Sequence, residues 1–106
     1  MLSYCIVLKF EEFWNLMGEE LTTPKQFATQ SKSFSAKYSG GRIIVTTSDD
    51  SLWTIDRSTF RKIWDKALTL HESMRFNHVN YNHDNIRTSS YIISIMKNFL
   101  TEKQLE

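Results

Sequence analysis

Apolar side chains recur at helical spacing in three segments of the chain, which predicts three amphipathic helices. The first begins near Phe10 and ends between Gly18 and Leu21. The second follows Asp56 or Ser58, either of which can cap it, and the last begins at Ser89 or Ser90. Their apolar stripes are Phe10, Phe13, Trp14, Met17 and Leu21; Phe60, Ile63, Trp64, Ala67, Leu68 and His71; and Ile92, Ile95, Met96 and Phe99.

Between the first two of these helices the apolar period changes to two, as is typical of half-buried strands. Apolar and polar residues alternate from Phe34 to Tyr38, and Ser39-Gly40-Gly41 supplies the positive-φ residues of a hairpin turn. A polar turn at Ser48-Asp49-Asp50-Ser51 separates two further strands. The pattern therefore predicts a three-stranded antiparallel meander, with strands at 34–38, 42–47 and 52–55.

Two shorter segments have less regular patterns. Thr23-Pro24-Lys25-Gln26 combines a capping threonine, a proline at the first helical position and a glutamine three residues after the cap. We therefore predict a short helix from this point to about Ser31. The segment Leu2–Leu8 is apolar on both alternating faces and fits either a buried strand or the first turns of a helix.

These elements predict a single α+β domain over residues 1–106, with residues 102–106 as a frayed tail. The meander would pack against the two C-terminal helices, and the N-terminal helix pair would close one side. A helix pair followed by a glycine-turned hairpin resembles the order of a winged helix, although a helix from Pro24 to Ser31 has at most two turns with which to read bases.

Composition narrows the class of protein. The 106 residues are 41% hydrophobic, with 3 Gly, 1 Pro and 1 Cys. Such a chain can bury a core, but it has neither a disulfide framework nor a glycine-rich phosphate loop. The apolar run from Tyr4 to Leu8 is too short to cross a bilayer, and its single Cys5 fits a reducing compartment. We expect a cytoplasmic protein that does not bind membranes.

Charge is segregated along the chain although its formal sum is only +1. Residues 25–47 carry +4 and residues 57–75 carry +3, with acidic blocks of −3 on either side of the first. This predicts a nucleic-acid interface on the hairpin and the helix after it, although the wet face of an ordinary helix looks the same and a pI near 7.9 is low for such proteins. The candidates are Lys37, Arg42, Arg57, Arg61 and Lys62 for phosphates, and Asn80 and Asn82 for base edges.

Aromatic residues predict a different partner. Seven Phe, three Trp and four Tyr exceed what so small a core readily covers. Exposed aromatic side chains are typical anchors of protein interfaces. The candidates are Trp53, Phe76, Tyr81 and Tyr91. Trp53 lies in a short strand that could be a sheet edge, where strand addition or homodimerisation occurs. An inhibitor or immunity-type protein that blocks another protein's active site fits the same pattern.

Candidate catalytic chemistry is sparse. His78, His83 and Asp84 share a polar, Asn-rich loop, and a metal-dependent hydrolase would use them. Their spacing matches neither a helical nor a strand pair, and the side chains of such a loop ordinarily bond their own backbone. We therefore expect no metal, no cofactor and no catalysis. The sequence predicts a small binding module, with DNA as the first partner and protein as the alternative.

Overall fold

The computed structural model describes residues 8–29, 32–77, 79–81, 88–101 and 104–105. Within these ranges the chain forms three α-helices, one turn of 3-10 helix at Glu72–Met74 and four antiparallel strands. In chain order the helices and strands are α1 (Phe10–Glu20), β1 (Lys25–Ala28), β2 (Ser33–Ser39), β3 (Arg42–Thr47), β4 (Leu52–Asp56), α2 (Arg57–Thr69) and α3 (Ser89–Phe99). The predicted α+β class is confirmed, and the ambiguous segment Leu2–Leu8 lies, except for Leu8, outside the described residues.

The four strands form one meander in the order β1-β2-β3-β4. The turn between β2 and β3 consists of Gly40 and Gly41, whose φ angles are 59° and 78°. Both values lie in the left-handed region that glycine enters without steric cost, as a two-residue hairpin turn requires. The predicted hairpin and the strand after the acidic turn are therefore confirmed.

All three helices pack on one face of the sheet. On β2 and β3 the buried side chains alternate with half-buried or exposed ones, so that Phe34, Ala36, Ile43 and Val45 face the helices. The apolar faces of the helices complete the core, in which Phe13, Met17, Phe60, Ile63, Trp64, Ile92, Ile95 and Met96 are almost wholly buried. The opposite face of the sheet, which carries hydroxyl and charged side chains, has no second layer among the described residues.

Aromatic rings fill the contact between α1 and α2. The Phe13 ring stacks on Trp64 with centroids 5.2 Å apart, and Phe10 meets the edge of Trp64 at 5.7 Å. Trp14 meets the edge of Phe60 at 5.7 Å. Each such pair adds about 0.5–1.5 kcal/mol to the stabilisation from burial alone. Much of the aromatic content is therefore core, which leaves fewer rings for an interface than the sequence indicates.

The predicted helix from Pro24 to Ser31 is wrong, because Lys25–Ala28 forms the edge strand β1. Phe27 lies opposite Phe34 on β2, and their rings stack with centroids 5.5 Å apart. Burial of Phe27 against Phe34, in a hairpin with the next strand, outweighs the local helix-start signal of Thr23 and Pro24. With a strand at this place, the predicted pair of α1 and a helix at 24–31 does not form, so the winged-helix arrangement is wrong as well.

The C-terminal segment returns to the start of α1. The Leu8 N–H donates to the Gln104 carbonyl at 2.7 Å, and Leu105 is buried. Leu105, which lies in the predicted frayed tail at residues 102–106, is therefore packed against the rest of the chain. Among the residues described, no helix is both long and apolar enough to cross a membrane.

Candidate functional site

Three arginines of the predicted phosphate-binding set lie near the junction of β4 and α2, and each is paired with a carboxylate. All of these side chains remain at least 40% exposed, so the pairs are surface ion pairs of small individual energy. The pairs are Arg42–Asp56 (3.2 Å), Arg57–Glu11, Arg61–Glu11 (3.9 Å) and Arg61–Asp65 (3.8 Å). Three arginines and three acids make the group electrically neutral.

The ring of Phe10 holds two of these arginines in place. The guanidinium carbons of Arg57 and Arg61 lie 5.1 and 5.5 Å from the centroid of that ring. A cation over an aromatic face is stabilised by about 0.5–1 kcal/mol at an exposed site. Both guanidinium groups are thus committed to contacts within the chain, to Phe10 and to Glu11.

The other predicted nucleic-acid contacts do not converge on one surface. Lys37 is exposed on the open face of β2 and Lys62 is exposed on α2, in the helical layer, and neither forms an ion pair with a described residue. The Asn80 side chain donates to the Met74 carbonyl at 2.8 Å. Asn82 lies outside the described residues.

Among the predicted interface aromatics, Tyr81 is fully buried and its hydroxyl donates to the Arg75 carbonyl at 2.7 Å. Its expected exposure is therefore wrong. Trp53, Phe76 and Tyr91 are half-buried and pack against the core. Of these three, Trp53 alone lies on an edge strand of the sheet, so it is the aromatic residue nearest to an unpaired backbone.

Among the described residues, one edge of β4 is unpaired. The Thr47 N–H donates to the Ser51 carbonyl at 2.9 Å, which makes these two residues a hydrogen-bonded pair at the end of the β3–β4 ladder. Because such pairs alternate in antiparallel sheets, the N–H and C=O groups of Leu52 and Thr54 and the N–H of Asp56 point away from β3, whereas the Asp56 carbonyl accepts the first hydrogen bond of α2. No described strand pairs with these groups.

The side chains of β4 do little to protect this edge. Sheet edges are usually blunted by lysine, proline or a bulge, and the strand Leu-Trp-Thr-Ile-Asp has none of them. Leu52 is 69% exposed, more than any other large apolar side chain among the residues described. The only charge is Asp56, at the end of the strand, where Arg42 pairs with it.

The opposite edge, β1, is protected. Pro24 precedes it and Lys25 occupies its first position, whereas β4 has neither residue; a helix contacts each edge strand, α3 at β1 and α2 at β4. The Lys25 ammonium lies 3.5 Å from a Glu20 carboxylate oxygen and 5.9 Å from the centroid of the Phe99 ring. The two edges of the sheet therefore differ, and β4 is the one available for pairing.

The turn before β4 fixes where the strand begins. The Thr47 hydroxyl accepts from the Ser51 N–H at 3.1 Å and donates to the Asp49 carboxylate. Hydrogen bonds that the Asp49 carboxylate accepts, from Thr47 first and Ser51 second, hold its pKa below the usual value. The next residue, Asp50, has a φ of 66°. Contacts within the chain thus fix the conformation at the start of β4, and no bound molecule is needed for this.

Two shallow clefts lie away from this edge. One, of about 270 Å³, separates the start of α1 from α2 and is lined by Trp64, Leu68 and charged side chains. The other, of about 260 Å³, lies at one end of the sheet and is lined mainly by serine and threonine residues of β2 and β3 and the turn after them. Neither lining includes histidine or cysteine.

The predicted hydrolase residues, His78, His83 and Asp84, lie outside the described residues. Within the described ranges, no group of three His, Cys, Asp or Glu side chains could hold a metal ion. His71 and Ser73 do contact each other, with Nδ1 2.9 Å from Oγ, but the same Nδ1 accepts from the Ser73 N–H at 3.2 Å. This histidine therefore caps the 3-10 turn.

The unpaired edge of β4, with Leu52 and Trp53 at its start, is thus the feature that most invites a ligand. No protein-family model matches the chain, and no curated protein or solved structure is significantly similar to it. Its function is therefore argued from its own residues.

Proposed function

We propose that this chain is a non-catalytic protein-interaction module that binds an extended polypeptide segment along β4. The observation that carries the proposal is the unpaired row of backbone groups on Leu52, Thr54 and Asp56. An added strand would satisfy these donors and acceptors and extend the four-stranded sheet to five strands.

Side chains on both faces of β4 support this proposal. Trp53 and Ile55 point toward the helices; Trp53 is half-buried, and no described strand lies on its outer side. A fifth strand would place an apolar residue next to the Trp53 ring. On the open face, Leu52 would gain a neighbour in the same way. Affinity would come from backbone pairing, and selectivity from these two apolar positions.

Nucleic-acid binding through the basic hairpin and α2 remains a prediction, and we rank it second. The carboxylates of Glu11, Asp56 and Asp65, which lie beside the arginines that the prediction uses, would repel phosphates. Lys37 and Lys62 remain available, but they stand in different layers of the fold. Binding of this kind would weaken steeply with salt, because phosphate contacts release counterions.

The test is selection of binding peptides from a displayed library of random extended sequences, followed by comparison of two proline variants. Thr54→Pro removes an N–H that points out of the sheet, so the β3–β4 ladder keeps its hydrogen bonds. Gln26→Pro makes the matching change on β1, where Gln26 also points away from its partner strand. We expect selected peptides to lose at least about tenfold in affinity for Thr54→Pro, since one backbone contact and its neighbours are lost. The same peptides should bind Gln26→Pro like the parent.

A peptide that binds both variants equally well would contradict the proposed site, and so would a library that yields no binder. Titration with a labelled DNA duplex at two salt concentrations forms the second arm. Duplex binding that falls with salt and is lost in a Lys37→Ala, Lys62→Ala double variant would favour the nucleic-acid hypothesis instead.

A further inference from the structure

We propose that the strand added to β4 is the β4 strand of a second copy of this chain, in an antiparallel pair whose twofold axis passes between the two Thr54 residues. This inference rests on the proposed function and names its partner. A twofold dimer uses the same surface on both copies, so the edge must be complementary to itself. The sequence and register of β4 meet that condition in three ways.

Backbone geometry is the first. The outward groups belong to Leu52, Thr54 and Asp56, which are spaced evenly about Thr54. In a register centred on Thr54, that residue faces itself, and Leu52 faces Asp56 of the second copy. The two Thr54 residues then exchange both backbone bonds, and each Asp56 N–H donates to the Leu52 carbonyl of the second copy. The Asp56 carbonyl takes no part, because it accepts the first hydrogen bond of α2, so the outward Leu52 N–H is the one edge group that stays without a strand partner.

Charge is the second. The only charged side chain on the edge is Asp56, and Arg42 pairs with it in the same copy. The antiparallel register places the two Asp56 carboxylates at opposite ends of the strand pair, roughly 14 Å apart, which exceeds the screening length near physiological salt. A parallel pair would set these two carboxylates side by side. Charge therefore selects the antiparallel arrangement.

Apolar contact is the third. In this register Trp53 faces the second copy's Ile55 on the helical side of the sheet, in a close, non-hydrogen-bonded position. The uncovered side of Trp53 would then be covered by the same residues in both copies. Five residues on each side are far fewer than the roughly 20–30 of a standard stable interface. The dimer is accordingly weak and exchanges with monomer.

The test uses charge at position 54, where the two copies meet. Thr54→Lys sets two ammonium groups opposite each other in the dimer, and Thr54→Glu sets two carboxylates. The side chain is exposed, so both variants should fold, which circular dichroism would check. Association is measured by sedimentation equilibrium up to about 1 mM, because a strand-pair dimer of this size is weak.

We expect each variant alone to dimerise at least about fivefold more weakly than the parent, and an equimolar mixture of the two to recover parental association as a heterodimer. Ser39→Lys is the matched control: it adds the same charge at an exposed position of the sheet away from β4, and should dimerise like the parent.

A parent protein that stays monomeric at about 1 mM would overturn the dimer. So would dimerisation that the Thr54 variants do not weaken, or variants that do not recover on mixing. If the parent is monomeric but library peptides still bind in a way that Thr54→Pro abolishes, the self-pairing fails and the proposed function stands. If neither association occurs, both fail.

Discussion

Asp49 shows how one side chain orders the approach to β4. Hydrogen bonds from Thr47 and then Ser51 favour its charged form and lower its pKa from the ordinary value near 3.8. A group whose pKa is lower in the folded state stabilises the fold above its unfolded pKa, and this stabilisation is lost as the pH falls through the folded value.

Asp49→Asn is therefore expected to lower the urea midpoint at neutral pH, and the difference from the parent should shrink as the pH falls through the folded pKa of Asp49 and the parent carboxyl becomes protonated too. Asp50→Asn, in the adjacent position, controls for the loss of one negative charge from the same turn. A difference between Asp49→Asn and the parent that persists unchanged in acid would contradict the assigned hydrogen bonds.

Single residues were predicted from the sequence where their neighbours along the chain decide their environment. The glycines of the hairpin and the apolar stripe of α1 are of this kind. The burial of Tyr81 could not be predicted in this way, because it depends on packing within the fold. The Tyr81 hydroxyl donates to the Arg75 carbonyl, six residues away. The role of Arg42, Arg57 and Arg61 as phosphate contacts stays a prediction. The pairing of Arg57 and Arg61 with Glu11 was not predicted, because Glu11 is distant in sequence.

Among the helices and strands, the sequence predicted those in which apolar residues recur with a clear helical or strand period. The three long helices and β2, β3 and β4 agree with their apolar patterns to within a few residues. β1 has only four residues and one buried side chain, Phe27, so its pattern carries little information. It becomes a strand because β2 offers Phe34 and an unpaired edge, which is a property of the assembled sheet.

Two glycines allow the same substitution to test a helix and a turn. In α1, a methyl group at Gly18 would lie 3.5 Å from the Tyr38 ring, an ordinary contact, so Gly18→Ala should stabilise the protein by about 0.5–1 kcal/mol. At Gly41 the φ of 78° disfavours any side chain, so Gly41→Ala should destabilise the protein by about 1 kcal/mol.

Urea unfolding of the two variants measures both changes. Opposite signs are the expected result, because one alanine joins a helix and the other enters a left-handed turn. Equal destabilisation by both would mean that Gly18 is too tightly packed against Tyr38 for the α1–β2 contact to be as described.

At the scale of the molecule, charge and edge pairing point to different partners. The charge blocks of the sequence remain, but folding brings Glu11 and Asp56 of the acidic blocks onto Arg57 and Arg42 of the basic ones. The surface that the charge pattern predicts to be basic is therefore largely neutral around Arg42 and Arg57. The difference between the protected β1 edge and the unpaired β4 edge is not visible in sequence, because it depends on strand order.

We propose that the outer edge of β4 is open in the free protein and becomes covered on association. Amide hydrogen exchange at Thr54, followed by NMR in dilute and concentrated samples, distinguishes these two states. We predict rapid exchange of the Thr54 amide in dilute solution, slow exchange at Trp53 and Ile55, which bond to β3, and marked slowing at Thr54 as concentration rises. A Thr54 amide that is already protected in dilute solution, or that exchanges rapidly at every concentration and with every selected peptide, would contradict the account.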